Sequence, residues 1–259
     1  MNRLAALAKM GNKTISVISG VLILAMMAYG GYSLWQMNAV FRAASPVNAG
    51  SGGRTIGFAE LQKRNPDVRG WITVKGTHID YPVAQGRDDL EYVNKNVLGD
   101  FELSGAIFLA ADNDRDFKDA YNLTYGHHMA QGKMYGDLPR FTGEKFFARH
   151  KKGMLYTAEQ CYRLRIFAVV DTNAYDRSYY NVADKKIMAS LPAFVQKISG
   201  DALHFRSAGL KADRQMIALS TCQDAKTDGR TIVFAKMIPV KDNAKAQSAL
   251  ARKRVRVSD

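Results

Sequence analysis

The chain of 259 residues is 47% hydrophobic and carries 37 lysines and arginines against 24 acids, a net charge of +13, which suits one globular domain of ordinary size plus accessory segments. Two widely separated cysteines, Cys161 and Cys222, exclude a disulfide-stapled framework, and five dispersed histidines without Cys/His ligand spacing give no metal site. The positive charge is scattered among acids and comes without a nucleic-acid motif, so attraction to an anionic envelope accounts for it and no nucleic-acid partner is expected.

Residues 15–35 contain no charge and have an apolar centre at 21–28; about 20 such residues span a bilayer as a helix. The rival reading is a cleaved signal peptide behind the basic leader of Arg3, Lys9 and Lys13, but the apolar run exceeds a signal core of about 7–15 residues. Tyr29, Tyr32 and Trp35 suit an interfacial belt, and the basic leader places the N-terminus in the cytoplasm and the remainder outside. The expected organisation is a leader over 1–14, a single-pass signal anchor over 15–36, a Gly-rich linker over 37–57, a globular domain over 58–240 and a basic tail over 241–259. The cluster at 252–256 reads as a frayed terminus.

After the linker, residues 58–64 form a short helix ended by Asn65 before Pro66. Residues 70–74 and 79–83 read as a hairpin, with Pro82 near an edge or bulge and His78 solvated beside the turn. A helical turn over 87–94 and a buried strand over 105–110 follow. Residues 134–138 and 146–150 are short helical or loop segments, with His150 at the surface. Residues 154–157 and 162–170 make a second hairpin, its later strand alternating apolar with basic. The connection from 171 to 213 is too long for an ordinary loop; residues 183–191 and 193–198 have helical composition, interrupted at Pro192 and ended by Gly200, and His204 beyond them reads as packed.

Chemistry concentrates at three strand ends. Residues 215–222 are a buried strand delivering Cys222 at its tip, and residues 231–237 are a second apolar run entered through Arg230, so a thiol and a guanidinium face each other across a loop mouth. Residues 122–128 form another strand-like run closing on Gly126, His127 and His128. A thiolate nucleophile needs a proton partner near neutral pH, and imidazole supplies one. Cys161 reads as an incidental thiol, and Asp224, two residues beyond Cys222, reads as solvated or as a third member orienting the imidazole.

In this order, the Tyr125-Gly126-His127-His128-Met129 run, the segment 132–138, the Leu219-Ser220-Thr221-Cys222 run and Arg230 resemble a class B sortase, over most of the chain beyond about Phe58. The resemblance implies a mostly β fold, a closed antiparallel barrel with short helices and a helix-containing crossover, behind one N-terminal transmembrane helix. It makes 58–240 the catalytic domain of a cysteine transpeptidase that needs no cofactor. Such an enzyme cleaves a C-terminal sorting motif of secreted proteins and passes the acyl group to an amine of peptidoglycan or a pilin. It gives Cys222, His127 and Arg230 the catalytic roles, leaves His128 as a neighbour, and draws the substrate groove from Tyr125, Asp89, Tyr92, Val93, Tyr180, Ser220 and Thr221. Two rivals remain: a membrane-anchored cysteine peptidase, and a catalytically silent surface-binding barrel.

Overall fold

The computed structural model describes residues 2–43, 54–183, 190–207, 215–222 and 228–257. By contact the chain divides into two units, Met1–Arg42 and Ala43–Asp259. The first is helix α1 (Asn2–Ala43), which includes the basic leader because no proline separates it from the apolar run. Within it the candidate span Gly11–Asn38 contains an 18-residue stretch with a mean hydropathy of 1.8 and nothing buried. At ~1.5 Å per residue its 28 residues reach about 42 Å, beyond the ~30 Å of a hydrocarbon core. The helix is a candidate membrane anchor by length and composition.

The second unit opens with strand β1 (Arg54–Gly57) and helix α2 (Phe58–Arg64). The helix stops at Asn65, which is extended (φ −129°, ψ 101°) as the residue before a proline tends to be. Strands β2 (Val68–Val74), β3 (Asp80–Ala84), β4 (Ile107–Leu109) and β5 (Tyr121–Tyr125) follow, then helix α3 (Glu144–Arg149) and strands β6 (Lys152–Thr157) and β7 (Cys161–Asn173). The crossover carries helices α4 (Arg177–Tyr180) and α5 (Leu191–Asp201) and strand β8 (His204–Phe205). Strands β9 (Met216–Cys222) and β10 (Gly229–Pro239), helix α6 (Asn243–Leu250) and strand β11 (Arg254–Val257) complete the unit.

Eight strands close a barrel in the order β10-β9-β5-β4-β3-β2-β6-β7, with β7 returning to β10, and β8 extends one edge of β7. The ladder is antiparallel except at β3–β4 and β5–β9, which are parallel. The barrel is mostly antiparallel, as expected, and the two parallel seams are each bridged by a long connection of the kind a parallel pair requires. Pro82 is tolerated because the β4 ladder begins one residue later, at Val83.

The barrel interior is filled by side chains such as Ile72, Val83, Ile107, Leu155, Leu219 and Val233, all essentially inaccessible. A second cluster lies outside it, where Leu191, Phe194 and Ile198 of α5 bury against Tyr121, Ile232 and Phe234. Each such side chain contributes about 1.5–3 kcal/mol, enough to hold the crossover against the wall. Pro192 does not interrupt this helix; it sits in the first turn, where its missing N–H costs nothing. The earlier helical composition at 184–189 lies outside the described residues, as do residues 44–53 of the Gly-rich linker.

The basic C-terminal segment is not frayed. Strand β11 pairs with β1 from Arg54↔Val257 to Gly57↔Arg254 and turns Val255 inward beside Ile56, Leu61, Trp71 and Leu250. The alternation of Arg254-Val255-Arg256-Val257 is a strand pattern that its charge conceals. The same cluster takes Cys161, a free buried thiol whose burial pushes its pKa up.

Candidate active site

Strand register brings three chain positions to one rim. In the parallel β5–β9 pair Tyr125 stands beside Ser220, and the Gly126 N–H donates to the Ser220 carbonyl at 3.2 Å. Two residues onward in the chain are His127, just beyond the end of β5, and Cys222, the last residue of β9. In the antiparallel β9–β10 pair Cys222 stands directly opposite Arg230, whose other neighbour is Thr172 of β7. The loop joining β9 to β10, including Asp224, lies outside the described residues.

His127 is half-buried, and its Nε2 lies 2.8 Å from the Val93 carbonyl oxygen. Since a carbonyl only accepts, Nε2 carries the hydrogen and Nδ1 is left for other chemistry. The His127 carbonyl accepts from the Tyr135 N–H at 2.9 Å, fixing the backbone as it leaves β5. Glycine is required just before it: a Cβ on Gly126 would lie 2.9 Å from the buried Tyr135 ring and 3.2 Å from Ile107. His128 is exposed, and its segment makes a bridge to Met134.

Beside these positions is a cleft of about 320 Å³, lined by Asp89, Val93, Tyr125, His127, Tyr180 and Arg230 with Ser220 and Thr221 at its base. Tyr125 and Tyr180 stack with centroids 6.2 Å apart and planes at 14°, and the Tyr180 hydroxyl is 2.9 Å from Ser220 Oγ. Burial, with the Asp89 carboxylate close by, pushes the Tyr125 phenol well above its ordinary pKa, so it remains a neutral hydrogen-bonding group. Asp89 is held by the Ala111 N–H at 2.7 Å. Thr221 is 2% exposed, and among the described residues its hydroxyl has no hydrogen-bond partner. Arg230 Nη1 donates to its neighbour's carbonyl, at Gly229, across 3.0 Å.

Of the positions expected in the groove, Tyr92 is absent from the lining. It is 1% exposed, and its hydroxyl donates to Asp67 and accepts from Asn65 beneath the wall. The adjacent Tyr179 is likewise internal, its hydroxyl donating to Asp201 at 2.6 Å. Phe108 and Ala174 line the cleft without having been singled out by the sequence; the apolar run at 105–110 carries Phe108, but nothing in it distinguishes a cleft wall from a core strand. Elsewhere, His78 is exposed yet bonded to the buried Asp137 at 2.8 Å, and His204 packs on Phe147 with Nε2 2.7 Å from the Thr142 carbonyl. Both contacts remove these rings from the cleft.

Residues 72–238 match the family model of the sortase domain. Sortase B of Listeria monocytogenes serovar 1/2a is 29% identical over 181 residues, 69% of this chain and 73% of that protein. A Streptococcus pyogenes class B sortase involved in pilus biogenesis superposes with a TM-score of 0.65 at 42% identity, covering 70% of this chain and 97% of its own. Sortase B from the type II pilus of Streptococcus pneumoniae gives 0.59 at 36% identity, covering 71% and 100%.

Proposed function

Because the chain belongs to the sortase family, in its class B branch, and is a sortase-type cysteine transpeptidase, we propose that Cys222 is its nucleophile, His127 its proton carrier and Arg230 its oxyanion clamp. The observation that carries this reading is the register that sets Arg230 opposite Cys222 and pairs Tyr125, two residues before His127, with Ser220, two residues before Cys222. The Cys222 thiolate attacks the carbonyl carbon of a peptide bond in the sorting motif, forming a C–S bond and a tetrahedral oxyanion. The planar, permanently charged Arg230 guanidinium stabilises that charge. As the C–N bond breaks, protonated His127 gives its proton to the leaving amine, and a thioacyl enzyme remains. An acceptor amine, losing its proton to His127, then attacks the thioester and releases the Cys222 thiolate.

In this reading the stacked Tyr125 and Tyr180 form one wall of the peptide groove and Asp89 and Val93 form the other, with the buried Ser220 and Thr221 supporting it. The acceptor is an amine of peptidoglycan or of a pilin; the pilus association of the two neighbours at 42% and 36% identity favours the pilin. The N-terminal helix holds the enzyme in the cell membrane with Arg3, Lys9 and Lys13 on the cytoplasmic side, leaving the barrel outside. A peptidase differs only in passing the same acyl group to water.

The test is thioester trapping. Intact mass of the full chain mixed with a sorting-motif peptide and no amine gains the acyl fragment on Cys222, and added amine discharges it. An adduct on Cys161, or turnover by Cys222→Ala, would overturn the assignment.

A further inference from the structure

On the outer face of the barrel, β6, β7 and β10 set two rows of side chains side by side. In one row Arg165 stands opposite Lys152 on one side and Lys236 on the other; in the next, Arg163 stands between Met154 and Ile238. Residues two apart in a strand share a face, so these six positions make one patch with four cations and no acid. Like charges directly opposite one another weaken a sheet, and Lys152, Arg163 and Arg165 are exposed, so packing does not require them.

Two cavities of about 580 and 390 Å³ meet over this patch, sharing Arg165 and Ile238. Lys75 and Lys253 add charge to the larger. Asp80, the one carboxylate among the described residues lining the two, is already held by Lys253 through both oxygens at 2.6 and 2.7 Å. The patch is remote from the cleft. The Arg165–Lys236 pair is seven residues along β7 and six along β10 from the Thr172–Arg230 pair, roughly 20 Å at ~3.3 Å per residue.

We propose that this groove binds a linear phosphodiester polymer laid across β6, β7 and β10. Neighbouring strands set successive cations about 5 Å apart, a spacing an extended phosphodiester chain can follow with its own charges. The two guanidiniums suit bidentate phosphate contacts, and Met154 and Ile238 accept the uncharged carbon linkers between them. A groove walled by the β2–β3 hairpin admits a chain, whereas a planar layer of headgroups would reach its rims alone. This site is independent of the catalytic assignment.

The experiment measures binding of a fluorescently labelled glycerol-phosphate oligomer to the full chain in neutral detergent, by anisotropy. Binding is expected to saturate and to weaken steeply with salt, as displacement of condensed counterions dictates. Lys152→Gln/Arg163→Gln/Arg165→Gln should weaken it at least tenfold while leaving Tm no lower and sorting-peptide turnover unchanged. Equal affinity in the variant overturns the proposal. So does inorganic phosphate, a polyglutamate peptide or an anionic phosphatidylglycerol vesicle binding the groove as tightly as the oligomer.

Discussion

The Nε2 of His127 donates to the Val93 carbonyl across 2.8 Å, tying the imidazole at the end of β5 to the turn that follows β3. The bond joins the segment that carries the proposed proton carrier to the cleft-wall segment through a backbone carbonyl. It also decides which ring nitrogen is engaged in the free enzyme. In ¹⁵N-histidine spectra of the full chain, neutral His127 should be the Nε2–H tautomer. An Nδ1–H tautomer would show that the Val93 bond is not kept in solution.

Gly105 guards that carbonyl. It holds φ at +60°, and a Cβ there would run into the Val93 oxygen. Gly105→Ala is expected to cost about 1–3 kcal/mol of stability and to lower kcat/KM beyond what the unfolded fraction explains, because the His127 acceptor moves. Kinetics well below the variant's Tm separate the two effects. Unchanged kcat/KM there would make the Val93 contact incidental.

The three proposed catalytic groups should behave as one unit. Cys222→Ala should abolish turnover and His127→Ala nearly so, with effects far from additive in combination. Arg230→Lys keeps the charge and loses the planar fork, and a fall of about 10²-fold is expected if it holds the oxyanion. Cys161→Ala, in the cluster with Ile56 and Trp71, should lower stability by about 1 kcal/mol and leave turnover intact. Steady-state rates with a sorting peptide and an amine check each.

Tyr180→Phe keeps the ring stacked on Tyr125 but removes the hydroxyl bond to Ser220. A neutral hydrogen bond contributes about 0.5–1.5 kcal/mol, so KM for the peptide should rise up to about tenfold with kcat little changed. A kcat loss with constant KM would place Tyr180 in the chemistry instead.

The cleft wall has a built-in acid limit. The Arg87 N–H, then the Lys95 ammonium, hold the Glu91 carboxyl at a pKa of about 2, against about 4.3 for a free glutamate. A carboxyl depressed on folding stabilises the native state above its unfolded pKa, and that contribution is lost as pH falls from about 4 toward 2. Glu91→Gln should therefore be less stable than the parent at pH 7 and lose less on acidification. Denaturant unfolding at pH 7, 4 and 3 measures this.

Deleting residues 252–259 removes β11 and uncovers Ile56. Loss of the buried Val255 and exposure of Ile56 should together cost about 3 kcal/mol or more, visible as a lower denaturation midpoint. An unchanged midpoint would return the segment to the status of a dispensable tail.

The sequence was most informative where local chemistry and packing agree. The charge-free run at 15–35, the apolar strands ending at Cys222 and beginning after Arg230, and the helix stopped before Pro66 each carry their cause within a few residues. It was least informative where a partner distant in sequence decides. Val93 and Tyr92 are adjacent, yet one lines the cleft and the other is sealed in the core by Asn65 and Asp67. Whether the basic end frays or pairs depended on β1, some 200 residues earlier. The family motifs indicated that residues 127, 222 and 230 belong together. Only the tertiary structure set Arg230 opposite Cys222 and the end of β5 beside β9, because strand register is fixed by which side chains can be buried at once around the closed barrel, and no single strand contains that information.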